Sequence, residues 1–451
     1  MALADLVVTG ANVLHDGTLD RLELGITDGE ITHISKPGMG PDGRASLELD
    51  GELVIPGAVE EHIHLREPGY VEKEGIVTGS AAAAAGGVTT IVEMPNTTPP
   101  VSTRARWEEK AALFDRKSHV DFALYGAITE DNVGTGDIQE LAAAGATGFK
   151  TFMATSFGPL LISDKALLLS AFEEVNETGR PIYIHAEDEE YLDGFRERVE
   201  RDGTSGMDAF FDSRPPIAET TAIADVLDIV RETGTETVVV HVTTSEGVDR
   251  IDRARQAGLP VDTEVTPYHL AFDEERLRAV GTEGIGTPPV RDEENRQALW
   301  SRLMDGRVQL LGSDHAPHTV AEKDGEPLEV PPGMPQVETA LSFLLDAVNR
   351  GHVTIQQVVD CYSTRPAKKH GLYPRKGTIS VGSDADFVVV DLDESWTVDP
   401  ADFESSGKYS PFDGWTFSAS ILSTYQRGEL IAEDRHTTNS PGDGQLYQRA
   451  D

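Results

Sequence analysis

Two histidines one residue apart, His62 and His64, carry the first chemical signal in the chain. On a strand, period-two spacing points both rings to one side, where two imidazoles can bind one metal ion. Standing alone, a His-x-His is equally the mark of a structural pair. Here His185, His241 and Asp314 also close apolar, β-branched runs, and Lys150 lies on another. Together the four histidines and the aspartate make a nitrogen and oxygen donor set suited to zinc. Lys150 is harder to place, because an ammonium beside divalent metal ions is repelled. As a carbamate formed with CO₂ (N6-carboxylysine) it would be anionic and able to bridge two metals. The plainer reading is a strand-end lysine reaching solvent or an acidic partner.

The elements that must position these groups alternate along the middle of the chain. The runs VIPGAVEEHIHL, VTTIVEMPN, VDFALYGAI, ATGFKTFM, PIYIHAE, TVVVHVTT, PVDTEVTP and VQLLGSDHAPH read as strands, with Ala-, Leu- and Glu-rich helical stretches between them. Eight strands alternating with helices predict an α/β fold, a (β/α)₈ TIM barrel, over residues 56–370. In such a barrel the catalytic groups sit where strands end, so closure would gather the six residues into one cavity. Residues 1–55 and 371–451 read instead as short strands punctuated by Asp-Gly and Asn turns. The two ends are expected to pair into one small β-sandwich domain.

The chain holds 78 Asp plus Glu against 38 Lys plus Arg, a formal charge of −40 spread along its length. Such a surface repels nucleic acid and anionic membranes, which excludes those partners. It is tolerable where salt screens within roughly 3 Å, as at molar ionic strength, and predicts a protein of a salty cytoplasm. Cys361 is the only cysteine, so neither an intramolecular disulfide nor a Cys-based metal site is available. The absence of a signal-like start or a long apolar run predicts a soluble cytoplasmic protein.

The stretch HIHLREPG at residues 62–69 resembles the opening signature of dihydroorotases in the amidohydrolase superfamily. The resemblance continues through KEGIVTGSAAAAAGGVTTIVEMPNTTPP, GATGFKTFM, the runs ending in His185 and His241, TPPVR, SDHAPHTVAEK and PRKGTISVGSDADFVVVD. It covers nearly the whole chain and is similar to the archaeal type that carries a lysine on strand four. It implies two Zn²⁺ per subunit. His62, His64, Lys150 and Asp314 would hold one, and Lys150, His185 and His241 the other, with carboxylated Lys150 and a hydroxide as bridges. It also implies the reversible cyclisation of N-carbamoyl-L-aspartate to L-dihydroorotate in pyrimidine biosynthesis, and a dimer or tetramer. Asp314 would then be ligand and general acid/base at once, moving a proton from the attacking hydroxide to the leaving amide nitrogen.

Substrate contacts follow from the same resemblance. Arg66 sits two residues beyond His64 and is suited to grip the carboxylate of dihydroorotate bidentately. Asn96, His64 and His318 would join it, with Pro332 and Gly333 contacting the ring through their backbone. The plainer readings are a surface Arg66 paired with Glu67 or Glu72, an Asn96 that caps a turn, and a His318 one layer behind the substrate. Two departures stand out. Glu60 replaces the usual Asp before His-x-His, which predicts altered support of the first metal. Thr287 replaces an Asn common among relatives, and Arg291 lies near it beside acidic residues. The stretch MATSFGPLLISD, with Gly158-Pro159, permits a mobile lid. The rival readings are an allantoinase, hydantoinase or dihydropyrimidinase, whose neutral rings have no carboxylate for Arg66, and a metal-free scaffold, which the intact ligand set argues against.

Overall fold

The structure is a computed structural model that describes residues 3–155 and 160–449. Eight parallel strands form the barrel: Ala58–Ile63, Val88–Glu93, Asp121–Leu124 continuing into Gly126–Ala127, Phe149–Phe152, Ile182–His185, Thr237–Val239, Val261–Val265 and Leu310–Leu311. Neighbouring strands pair in chain order. Closure comes where Ile63 bridges His315 and the His64 amide donates to His315 O at 2.8 Å. The strands are buried on both faces, which is why their sequences run as continuous apolar stretches and do not alternate. Val92, Tyr125, Tyr183, Val238 and Leu310, one from each of five strand regions, belong to an apolar cluster separate from the larger core.

Between strands the chain forms helices with readable ends. Helix Lys165–Thr178 is capped by Asp164, whose carboxylate accepts from the amides of Ala166 and Leu167 at 2.8 and 3.0 Å. It ends at Gly179, in the left-handed conformation that favours glycine.

The run VIPGAVEEHIHL does not form the single strand that its pattern predicts. It divides at Gly57, where a Cβ would come within 2.3 Å of the Thr89 side chain. Leu53–Pro56 joins a nine-stranded sheet, and Ala58–Ile63 opens the barrel. That sheet draws on both chain ends: Ala4–His15 lies parallel to Leu53–Pro56, which in turn lies antiparallel to Phe387–Asp391. Val8, Val13, Ile26, Val54 and Phe387 give it an apolar core of its own. The barrel is thus accompanied by a separate β-rich domain. The tail then returns to the barrel, where Tyr447 N donates to Phe122 O at 2.7 Å.

A buried ion cluster ties the two parts together. Lys376 Nζ lies 2.5, 2.7 and 2.9 Å from Asp121, Asp386 and Asp384, at the start of the third barrel strand. Among the described residues no helix is long and apolar enough to cross a membrane. Gly158 and Pro159 of the expected lid lie outside the described residues. The segment just after them is docked, with Ile162 N donating to Phe152 O at 2.8 Å.

Candidate metal centre and substrate cavity

All six expected ligands reach one end of the barrel. His62, His64, His185, His241 and Asp314 line a single cavity, and Lys150 lies fully buried on the fourth strand. His241 and Asp314 stand just beyond their strands with φ of 40° and 49°, and Arg66 has φ of 56°. Left-handed backbone is unfavourable for non-glycine residues and persists where surrounding structure enforces it, commonly at functional sites.

In His62, His64 and His185 a hydrogen bond on the far side of the ring fixes which nitrogen faces inward; His241 Nδ1 has no such partner among the described residues. His62 Nδ1 meets the Glu264 carboxylate at 2.7 Å, so its Nε2 faces inward. His64 Nδ1 meets Asn96 Oδ1 at 2.7 Å, and its Nε2 also faces inward. Both Nε2 atoms lie close to Asp314 Oδ1, at 3.3 and 3.2 Å. His185 Nε2 meets Glu187 at 2.8 Å, leaving Nδ1 facing His241 Nε2 at 3.1 Å. Ring nitrogens therefore meet a carboxylate oxygen in one group and another imidazole in the other, so nitrogen and oxygen donors converge at the mouth. The donor set fits divalent metal ions.

Lys150 belongs to the same pattern. Its Nζ is buried, has no hydrogen-bond partner among the described residues and sits over the Phe152 ring at 4.8 Å. Burial lowers its pKa to about 8, against the pull of Glu264 and Asp314. Burial acts on Asp314 too and would raise its carboxyl. His62, His64 and Lys150 outweigh that and hold it below the usual carboxylate range. His64 is pushed down to about 3, mainly by burial.

Arg66, Asn96, Phe152, Thr287, Ala316, Pro332 and Gly333 complete the cavity wall. Arg66 is buried, and burial lowers its pKa to about 10, so it stays charged at neutral pH. Its Nε donates to Pro317 O at 3.4 Å. His318 does not line the cavity. It is buried behind Arg66, with Nε2 3.4 Å from Arg66 Nη2 and 3.0 Å from Pro332 O. Behind it, Lys73 Nζ lies 3.2 Å from His318 Nδ1 and 2.7 Å from Glu322. Gly333 has φ of 126°, and a Cβ there would meet Ala316 O at 2.3 Å, so no other residue fits.

The position before His-x-His is supported differently from expectation. Glu60 touches no imidazole. It accepts from the amides of His62 and Ser313 and from the Tyr362 hydroxyl, and burial pushes it up to about 7. Glu264 holds the His62 ring in its place. Arg291 does not pair with the acidic residues that follow it; it donates to Thr243 Oγ1 and Arg214 O, with Glu219 at 3.9 Å. Glu264, Glu187, Phe152 and Lys73 are the site residues that sequence reasoning passes over. Glu264 in PVDTEVTP met the same criterion, a polar residue at a strand end, as the ligands that were found.

A closed parallel barrel with imidazoles and a carboxylate converging at its mouth is a barrel with a donor set fit to hold metal. The chain belongs to the amidohydrolase family, whose profile matches residues 53–431. It is 37% identical over 405 residues to a dihydroorotase of Halobacterium salinarum, covering 89% of this chain and 91% of that one. It is 32% identical to an allantoinase of Deinococcus radiodurans, covering 97% of each. The solved L-hydantoinase (dihydropyrimidinase) of Arthrobacter aurescens superposes with a TM-score of 0.96 at 32% identity, over 99% of this chain and 100% of that one. The protein is an enzyme, a cyclic amidohydrolase.

Proposed function

We propose that the protein is a dihydroorotase, catalysing the reversible cyclisation of N-carbamoyl-L-aspartate to L-dihydroorotate. Arg66 carries this reading: a buried guanidinium in the cavity wall of a chain whose net charge is −40. A buried cation is costly, and an anionic substrate group gives it a purpose. The competing reading, a neutral ring of the hydantoin or allantoin kind, is favoured by the close superposition on the L-hydantoinase structure, while Thr287 in place of Asn puts one substrate contact in doubt.

The centre would hold two zinc ions through His62, His64, His185, His241, Asp314 and Lys150. When bound, the metals would acidify water and polarise the ring carbonyl. Lys150 would serve as the carbamate. A pKa of about 8 leaves a fraction of its amine neutral near pH 7, the form that attacks CO₂. In ring opening, Arg66 orients the substrate by its carboxylate. Water adds to the ring carbonyl, and Asp314 takes a proton from that water. The carbon–nitrogen bond breaks and Asp314 returns the proton to the leaving nitrogen. Ring closure runs the same path backwards.

Purification in molar KCl with zinc, followed by assays on L-dihydroorotate, hydantoin, allantoin and dihydrouracil, tests the reading. Dihydroorotate is expected to be turned over preferentially; preference for a neutral ring would refute it. Arg66→Met is expected to raise KM for dihydroorotate about tenfold or more with bound zinc unchanged.

A further inference from the structure

Three consecutive backbone carbonyls, those of Pro331 and of the cavity-lining Pro332 and Gly333, are each held by a side chain. Lys323 Nζ donates to Pro331 O at 3.0 Å and to Gly333 O at 3.1 Å. His318 Nε2 lies 3.0 Å from the carbonyl between them, Pro332 O. Tyr409 adds its hydroxyl to Gly333 O at 3.3 Å. The third bond of Lys323 goes to Ile285 O at 3.1 Å, in the loop that leads to Thr287. Ile285 O also accepts from Gly333 N at 2.8 Å. Thr287, Pro332 and Gly333 all line the cavity.

Lys323 is therefore a buried ammonium whose three protons meet three carbonyls from two different loops. Its bonds go to no carboxylate, and Glu283 and Glu322 act on it only at longer range. Burial lowers its pKa to about 7, so this placement works against its charge. An apolar side chain of similar volume would fill the space more cheaply. What that side chain lacks is the ability to draw three carbonyls to one point.

We propose that Lys323 is a positioning residue that joins the Ile285 and Pro331–Gly333 loops into one rigid wall, and so sets which ring the enzyme accepts. Among the described residues its hydrogen bonds reach none of the expected metal ligands; it acts through backbone that lines the cavity. The proposal rests on the cyclic-amide reading of the cavity but not on the choice of dihydroorotate.

The test uses the full-length, zinc-loaded enzyme with Lys323→Met and Lys323→Gln. Bound zinc, thermal melting, and kcat and KM on L-dihydroorotate, hydantoin and allantoin are measured. Lys323→Met is expected to keep its zinc and to raise KM about tenfold while kcat stays within about threefold. Lys323→Gln keeps two N–H donors and is expected to fall between it and the wild type. An unchanged KM in a folded, zinc-loaded variant would overturn the proposal. So would a fall in kcat that tracks lost zinc, which would place Lys323 in metal support. If Lys323→Met does not fold, Lys323→Gln is judged by the same criteria, and failure of both to fold would make the residue purely structural. A wild type that prefers hydantoin or allantoin refutes the dihydroorotase assignment and leaves the Lys323 test standing on that ring.

Discussion

Two buried lysines on one barrel have opposite surroundings. Lys376, near the start of the third strand, has Asp121, Asp386 and Asp384 within 2.9 Å. Burial alone would lower its pKa, but Asp386, Asp121, Tyr447 and Asp384 outweigh it and push the ammonium well above its ordinary value. Lys150, at the mouth, has no hydrogen-bond partner among the described residues, and burial lowers it to about 8. Three carboxylates also converge around Lys376, but the lysine already satisfies them. Where the fold needs a joint, the buried charge is fully paired. Where it needs chemistry, the charge is left unpaired and easily discharged.

The contrast is broken most directly at Lys150. Lys150→Met is expected to lower activity by at least about a thousandfold, since metal catalysis supplies several kcal/mol. Metal analysis should show zinc lost with it, and full activity in that variant would remove Lys150 from the centre. Lys376→Met strands three carboxylates, so it should cost about 3–5 kcal/mol of stability. Its remaining folded fraction should keep wild-type kcat, because the cluster makes no contact with the cavity. Denaturant melts alongside assays at matched folded concentration decide this.

The same contrast explains what was legible in the sequence. His62, His64, His185, His241 and Asp314 stood out because histidine is sparse and each interrupts an apolar run. Glu264 and Glu187, which orient two of those rings, occupy equally telling positions, yet they are acids in a chain with 78 acidic residues. A surplus laid over the surface hides the few acids that are buried. Lys73 and Lys323 were illegible for another reason: lysine is almost never fully buried, and only the folded loops show what holds these two. The barrel was legible as eight apolar runs alternating with helices. The break at Gly57 was not, because its cause is a close approach by Thr89, 32 residues later in the chain. His318 is placed behind Arg66 by the fold of the Pro332 loop, which no local pattern encodes.

Glu264→Gln probes how far the chemical end depends on charge one layer out. The amide can still accept from His62 Nδ1 and from the His241 amide, so geometry is kept and the carboxylate charge is lost. Zinc affinity is expected to fall about 10–100-fold with little change in melting of the metal-free protein. Unaltered zinc affinity in a titration with a chelating competitor would mean that Glu264 only braces the barrel.

The sharpest expected effect has opposite signs at the two lysines. In metal-free protein, uncarboxylated Lys150 is a buried ammonium with its pKa lowered from 10.5 to about 8. Below pH 8 both folded and unfolded chains carry the proton, and the folded state bears the full penalty. Between about pH 8 and 10.5 the folded chain has released a proton that the unfolded chain still holds, so stability rises with pH. Above that the penalty is gone. Lys150→Met should therefore stabilise the metal-free protein at pH 7 by about 3 kcal/mol, with the gain shrinking as pH climbs through that window. Lys376→Met destabilises at pH 7, because the ammonium it removes is favoured by the fold. Paired denaturant melts of the two variants and the wild type at pH 7 and pH 10 measure both signs. If both variants destabilise equally at pH 7, Lys150 is paired in the folded protein and the division between joint and reactive centre fails.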